Sequence, residues 1–232
     1  MNGMPPSQAP SKTSTPLKNF QIVFLLLMAL ILMIQGWGDR YGLLAHPARA
    51  IFVAVLALNV LLLLFVPFEL FEGGTREVRR QRWPTYIGLA AVGASLWFLP
   101  HADRNGLWVW PESDLLRYAG LACVVVGAGV RVAATAQLGP LFSTFVAIQK
   151  DHHLVTTGLY RWVRHPIYTG SFIAAIGIFL VFRSKLVWMA TPLYLAGTLW
   201  RIHDEEMLMC EAFGEAYRQY QARSWRLLPF IY

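Results

Sequence analysis

Two polar segments of the chain carry side chains that could bind a charged ligand. The first, 152–168, reads HHLVTTGLYRWVRHPIY, and the second, 200–220, contains Arg201, Glu205 and Glu206. Arg201 and Glu205 are four residues apart, so on a helix they lie on the same face. Charges at this position, one turn beyond an apolar run, face a polar cavity or a partner. The alternative is an ordinary i,i+4 salt bridge on an exposed helix.

The sequence RHPIYTG predicts a helix start directed at a polar site. Pro166 disfavours helical backbone at His165 and suits the first turn of the helix that follows. The N-terminal amides of that helix would face whatever Arg164 and His165 surround, which favours a carboxylate or a phosphate. Gly170 permits close approach of backbone or ligand.

The histidines do not have the spacing of a metal site. His152 and His153 are adjacent, and adjacent residues rarely converge on one ion. The two cysteines, Cys123 and Cys210, lie in different surroundings and are interpreted as unpaired thiols. We therefore expect a polar ligand pocket without a bound metal.

Long apolar runs separate these polar segments and exclude an ordinary soluble domain. The chain is 56% hydrophobic and only 14% charged, whereas soluble domains carry roughly 25% charged residues. A membrane span needs about 20 mostly apolar residues. The runs are 20–34, 48–71, 86–99, 115–138, 171–182 and 186–200. They predict an all-α polytopic membrane protein with about six transmembrane helices, the last two forming a helical hairpin. Five helices plus a re-entrant hairpin is the alternative.

The distribution of charge predicts the orientation. Basic residues concentrate in 76–82, 150–164 and 218–226, and positive loops stay in the cytoplasm. Both chain ends and the ligand pocket are then cytoplasmic, and only Arg183 and Lys185 do not fit. A signal peptide is the alternative for the first run, but no small-residue cleavage site follows it.

This pattern divides the chain into three parts. Residues 1–18 are expected to be a disordered cytoplasmic tail, 19–138 the N-terminal transmembrane helices, and 139–232 the catalytic region with the C-terminal hairpin. Nucleic-acid binding is not expected, because it would need a larger polar domain.

The two polar segments together resemble a known family. HHLVTTGLYRWVRHPIYTG, followed by WRIHDEEMLMCEAFGEAYRQY and a closing RLLPF, is similar to the isoprenylcysteine carboxyl methyltransferases. It also resembles the wider group of membrane-embedded methyltransferases that use S-adenosylmethionine, which includes phospholipid methyltransferases. The match covers about 131–230, and the earlier runs match only in being hydrophobic.

The resemblance implies roles for individual residues. Cofactor contacts are implied for His152, His153, Leu154, Val155, Tyr160, His165, Pro166, Ile167, Tyr168 and Glu205. Glu205 would hold the amino end of S-adenosyl-L-methionine, and Arg201 would bind the substrate carboxylate, so that Arg201 and Glu205 form the implied catalytic pair. Leu159 departs from the family pattern, since many members have proline there.

The implied reaction suits these residues. A carboxylate is already ionised at pH 7, so its methylation requires positioning rather than a strong base. The expected substrate is a prenylated or other lipid-like carboxylate that enters between helices, with membrane lipids around the protein. The membrane would be a bacterial cytoplasmic membrane or a eukaryotic endoplasmic reticulum.

Three alternatives stay open at this point. A phospholipid or isoprenoid lipid could be the methyl acceptor instead. NADPH-dependent sterol reductases share a Tyr…Arg-His-Pro-x-Tyr stretch and a similar C-terminus, but they are longer and lack the glutamate pair. A non-enzymatic membrane protein would need no ordered cytoplasmic pocket.

Overall fold

The computed structural model describes residues 15–65, 76–77, 82–148 and 153–229. Within these ranges the chain is almost entirely helical, which confirms the predicted all-α class. Its α-helices are α1 (Thr15–Trp37), α2 (Arg40–Leu44), α3 (Pro47–Leu62), α4 (Arg82–Asn105), α5 (Asp114–Leu138), α6 (Pro166–Val181), α7 (Val187–Phe213) and α8 (Glu215–Ala222). Short 3-10 turns cover Leu63–Phe65, Gly139–Leu141 and Gly158–Arg161.

One very small antiparallel strand pair links the two halves of the chain. β1 (Arg76–Glu77) pairs with β2 (Ala147–Ile148). Every predicted apolar run lies largely or wholly within one of the long helices. The predicted tail falls mostly in 1–14, which lies outside the described residues.

Two of the helices are long and apolar enough to cross a membrane. Asn19–Trp37 has a mean hydropathy of 2.2 and Asp114–Leu141 one of 1.8. Pro47–Leu62 and Pro166–Val181 are apolar but shorter than a full span. Length and composition therefore identify two candidate spans among the described residues, rather than the predicted six.

Helices α5 and α6 pack closely because glycines face each other along their contact. A Cβ at Gly120 would lie 2.6 Å from the backbone nitrogen of Val181, and one at Gly177 would lie 2.5 Å from the carbonyl oxygen of Gly120. Gly127 and Gly170 make the same kind of approach farther along the pair. Small residues at these positions let the two backbones come together. The pair forms the rigid centre of the fold.

A buried ionic cluster joins α3, α4, α5 and the turn between α6 and α7. Asp103 on α4 is fully buried and receives hydrogen bonds from Arg117 at 2.7 Å and Arg183 at 2.8 Å. Arg49 approaches the same carboxylate at 3.5 Å, and Glu112 binds Arg117 at 2.6 Å. This cluster explains why an arginine occupies the α6–α7 turn: the charge of Arg183 is paired with Asp103.

The last long helix carries the second polar segment. α7 runs through Pro192 for 27 residues and ends at Gly214, whose φ of 53° reverses the chain into α8. It therefore extends well beyond the apolar run 186–200. Arg201, Glu205 and Glu206 lie in its C-terminal half, near the start of α6.

Candidate active site

A large cavity lies among α4, α5, α6, α7 and the segment before α6. Its volume is about 970 Å³, at the upper end of the usual range for ligand pockets. Most of its wall is apolar, with residues from α4 such as Leu89, Val92 and Leu96 facing Phe172 and Phe179 of α6. Its polar end is formed by His165, Tyr168, Arg201 and Glu205. The cavity is thus amphiphilic, with charged groups at one end and a hydrocarbon-like remainder.

Arg201 is fixed by four partners. Its Nε donates to the Tyr168 hydroxyl at 2.6 Å and to Glu205 at 3.2 Å. Its two terminal nitrogens donate to the Thr85 hydroxyl and to the Thr144 carbonyl, each at 2.6 Å. The predicted i,i+4 pair exists, but it lines a cavity instead of an exposed surface. Arg201 therefore organises this end of the cavity.

Glu205 lines the cavity and has three partners within the protein. Its carboxylate accepts hydrogen bonds from the Tyr168 hydroxyl and Arg201, and it lies 3.6 Å from Nδ1 of His165. Burial alone would raise the pKa of Glu205, but the neighbouring His165 and Arg201 outweigh it and hold the pKa below its usual range. Glu205 is therefore an anion that can receive a cationic group of a ligand.

His165 lies between two glutamates. Its Nε2 is 3.3 Å from Oε1 of Glu206, and its other nitrogen faces Glu205. Burial lowers the pKa of His165, yet the two carboxylates together raise it above the ordinary 6.5. Burial likewise opposes ionisation of Glu206, while hydrogen bonds from His165 and Arg164 lower its pKa to about 2. The two carboxylates therefore favour the protonated form of His165.

The segment before α6 supplies the side wall. Residues His153, Leu154, Val155 and Tyr160 line the cavity, as do Ile167 and Tyr168 at the start of α6. The Tyr160 hydroxyl donates to the Ala134 carbonyl of α5 at 3.4 Å, which ties the segment to the central helix pair. The structure thus brings these predicted residues to one cavity.

Two of the predicted residues stand apart from this group. Pro166 is buried at the first position of α6 and shapes the helix start without lining the cavity. His152 lies outside the described residues.

Two further residues of the cavity were missed by sequence reasoning. Arg131 on α5 lines the cavity, and within the described ranges its guanidinium forms no hydrogen bond or ion pair. Thr85 reaches Arg201 from α4, 116 positions away in sequence. A lone arginine inside an apolar run is a signal for function, and it would have indicated Arg131. No local pattern indicates Thr85.

The polar end suits S-adenosylmethionine in its chemistry. This molecule carries an ammonium, a carboxylate and a flat adenine ring. Glu205 is an anion available to the ammonium, while the N-terminus of α6, which has no side-chain cap, suits the carboxylate. Leu154, Val155 and Tyr160 offer an apolar and aromatic wall for the ring. The residues present fit the group.

The fold and the cavity define a class of protein: an all-helical bundle with long apolar helices that enclose an amphiphilic ligand site. Residues 120–211 match the sequence profile of the isoprenylcysteine carboxyl methyltransferase (ICMT) family. This segment is therefore similar to that family, and the resemblance predicted from the motifs is confirmed.

Named relatives show the same similarity. The chain is 35% identical to the human protein-S-isoprenylcysteine O-methyltransferase over 132 residues, which cover 53% of this chain and 45% of the relative. The Dictyostelium discoideum protein of the same name is 30% identical over 146 residues, covering 59% and 55% of the two chains. The chain thus spans about half the length of the curated relatives it matches.

A solved structure shares the fold over nearly the whole chain. The eukaryotic intramembrane Ras methyltransferase, isoprenylcysteine carboxyl methyltransferase, superposes with a TM-score of 0.51 and 22% identity. The superposition covers 96% of this chain and 88% of the other. The N-terminal helices, which fall outside the matched profile, therefore belong to the same overall architecture.

Proposed function

We propose that this chain is an integral-membrane methyltransferase that uses S-adenosyl-L-methionine to methylate the carboxylate of a lipophilic, prenylcysteine-like molecule. The observation that carries the proposal is the amphiphilic cavity, in which two arginines and an anchored glutamate adjoin a long apolar space. Named relatives are protein-S-isoprenylcysteine O-methyltransferases. Their activity comes to this chain as a proposal, since only about half of their length is matched.

The cofactor is assigned to the polar end next to α6. Glu205 would bind its ammonium, and the first turn of α6, which begins beside His165, would bind its carboxylate. When bound, the cofactor supplies an activated methyl group on a sulfonium. Glu205 and the first turn of α6 would hold the cofactor at the polar end of the cavity, where Arg131 and Arg201 are available to the acceptor.

The acceptor carboxylate is assigned to Arg131 together with Arg201. The nitrogens of Arg201 already donate to four protein groups. Arg131 lines the cavity and has no hydrogen-bond or ion-pair partner among the described residues. Arg131 is exposed to the cavity, so a carboxylate that enters the cavity could pair with it. A charge-assisted, bidentate contact would also fix the orientation of the attacking oxygen.

These two cations favour an anionic acceptor over an amine. The protonated amine of an aminolipid would bring a further positive charge toward Arg131 and Arg201, and like charges repel. The hydrocarbon part of the acceptor would lie along α4 and α6, where Leu96 and Phe179 line the cavity.

The membrane arrangement is part of the proposal. The six longest helices would cross the bilayer, with the shorter α3 and α6 completed by their flanking residues. Exposed tryptophans support this placement: Trp108 and Trp188 lie near the α6–α7 turn, and Trp83 and Trp162 lie near the polar end of the cavity. Such aromatic residues mark membrane interfaces. The basic loops then place the polar end in the cytoplasm.

Direct binding of the cofactor tests the proposal. Calorimetry on the purified protein in detergent should show binding of S-adenosylmethionine and weaker binding after Glu205→Gln. Glu215→Gln on α8 is the matched control, because Glu215 is exposed and only forms a 3.9 Å pair with Arg218. Binding of NADPH without binding of S-adenosylmethionine would refute the methyltransferase assignment and favour a reductase.

A further inference from the structure

A short segment near the C-terminus is bound to the residues that precede α6. We call 224–227 the C-terminal strap. The amide of Trp225 donates to the carbonyl of Trp162 at 2.9 Å, and the amide of Arg164 donates to the carbonyl of Trp225 at 2.8 Å. The amide of His165 then donates to the carbonyl of Arg226 at 3.1 Å. The backbone around His165 is therefore held by the strap, which lies beyond the segment 120–211 that matches the family profile.

Glu206 joins the strap to the same segment through its side chain. Its Oε1 accepts a hydrogen bond from Nε of Arg164 at 2.9 Å and lies 3.3 Å from Nε2 of His165. Its Oε2 accepts from Arg226 at 2.8 Å. The side chain is only 7% exposed, so these three contacts account for its position.

The adjacent glutamates therefore have different tasks. Glu205 lines the cavity, while Glu206 does not and turns toward the strap. Arg164 is likewise committed to protein partners, since it also donates to the carbonyls of Gln221, at 3.0 Å, and Ser224. Although Arg164 borders the cavity, its Nε and one terminal nitrogen are bound to acceptors of the protein.

We propose that Glu206 is a positioning residue of the site, which holds His165 toward Glu205 and fastens the C-terminal strap to the start of α6. This inference rests on the proposed function, because Glu205 and the helix start at His165 are assigned to the cofactor. It makes the strap, which includes Arg226 and Leu227 at the start of the RLLPF motif, a structural part of the site.

The charges around His165 determine what the loss of Glu206 would do. They come from every element packed here: Glu205 and Glu206 on α7, Arg164 and Tyr168 beside His165, Arg226 on the strap, Arg201 across the cavity and Tyr217 on α8. Removing the Glu206 carboxylate leaves one anion against the imidazole and frees the charges of two nearby arginines. Both changes disfavour the imidazolium, so the proton should leave His165 at a lower pH.

The experiment follows this proton and the strap directly. Glu206→Gln keeps the size of the side chain and removes its charge. The chain has six histidines, so NMR of ring-labelled protein can resolve His165, with His165→Gln identifying its signal. We expect the titration midpoint to fall by at least about one pH unit, the usual effect of losing a close opposite charge. Hydrogen exchange of the Trp225 and His165 amides should accelerate at least tenfold.

Cofactor binding provides the second readout. The dissociation constant for S-adenosylmethionine should rise about tenfold in Glu206→Gln, whereas KM for the lipophilic acceptor should stay within about twofold. Glu215→Gln is the control and should change neither the His165 midpoint nor exchange in the strap. A purely structural defect would lower the melting temperature without shifting the midpoint of the His165 titration.

The outcomes separate this inference from the proposed function. An unchanged His165 midpoint together with protected strap amides in Glu206→Gln would overturn the positioning role. A shifted midpoint in a protein that binds no S-adenosylmethionine would refute the proposed function and leave the positioning role standing. If Glu206→Gln does not fold, Arg226→Gln cuts the link from the strap side. Hydrogen exchange of the strap amides must then accelerate in Arg226→Gln, and unchanged protection of these amides would contradict the proposal.

Discussion

Replacing Arg131 by methionine should separate the stability of this protein from its activity. Arg131 lines the cavity and has no hydrogen-bond or ion-pair partner among the described residues. Methionine fills a similar volume and leaves no acceptor without its donor. The substitution should therefore remove the contact to the acceptor carboxylate while leaving the folded protein intact.

The two arginines of the cavity should respond with opposite patterns. A hydrogen bond to a charged group contributes about 1.5–3 kcal/mol, so Arg131→Met should lower kcat/KM for a carboxylate acceptor by roughly 10- to 150-fold. Its free energy of unfolding should change by less than about 1 kcal/mol. Arg201→Met removes a buried partner of Glu205 and three further contacts. It should therefore cost about 3–5 kcal/mol of stability as well as activity.

The assay pairs thermal unfolding in detergent with methyl transfer from a labelled cofactor. Arg218→Met is the matched control, because Arg218 is exposed and pairs only weakly with Glu215. A large drop in the melting temperature of Arg131→Met would show that Arg131 is a structural ion-pair partner. Full activity of that variant would show that the acceptor carboxylate does not contact Arg131.

Three further predictions concern the scaffold. Asp103→Asn should lower the free energy of unfolding by about 3–5 kcal/mol, because it leaves buried arginines without their carboxylate. The control Asp114→Asn, whose side chain is 78% exposed, should change it by no more than about 0.5 kcal/mol. Equal melting temperatures of the two variants would contradict the role of the cluster. Gly177→Val should lower the free energy of unfolding by about 1–3 kcal/mol, because its Cβ would lie 2.5 Å from the Gly120 carbonyl oxygen. The control Gly129→Ala, with nothing within 4 Å of its Cβ, should be tolerated. Similar unfolding curves of the two variants would argue against close α5–α6 packing. Folding lowers the pKa of Glu206 from 4.5 to about 2. Its contribution to stability should therefore be complete above pH 4.5 and be lost as the pH falls toward 2. The melting temperature of Glu206→Gln should therefore fall less on acidification than that of the wild type. Identical pH profiles of the two melting temperatures would refute this.

The polar end of the site follows a local pattern and was predictable. The i,i+4 spacing of Arg201 and Glu205 and the break at Pro166 are properties of single helices, so the sequence indicated both the pair and the helix start. The positions of the long helices followed from apolar runs for the same reason.

Other features depend on residues distant in sequence. Thr85 meets Arg201 across 116 positions, and Asp103 collects arginines from three other parts of the chain. No periodicity encodes such contacts. Arg183 illustrates the limit: its charge did not fit the predicted orientation, but the partner that neutralises it became visible only in three dimensions.

Transfer of a labelled methyl group from S-adenosylmethionine to a lipophilic carboxylate, such as N-acetyl-S-farnesylcysteine, tests the central claim most directly. The wild-type protein should form a base-labile methyl ester, which releases labelled methanol in alkali. Glu205→Gln and Arg131→Met should form little of it, and Glu215→Gln should match the wild type. Label found in a base-stable product on an aminolipid, or no transfer to any lipophilic carboxylate, would contradict the account.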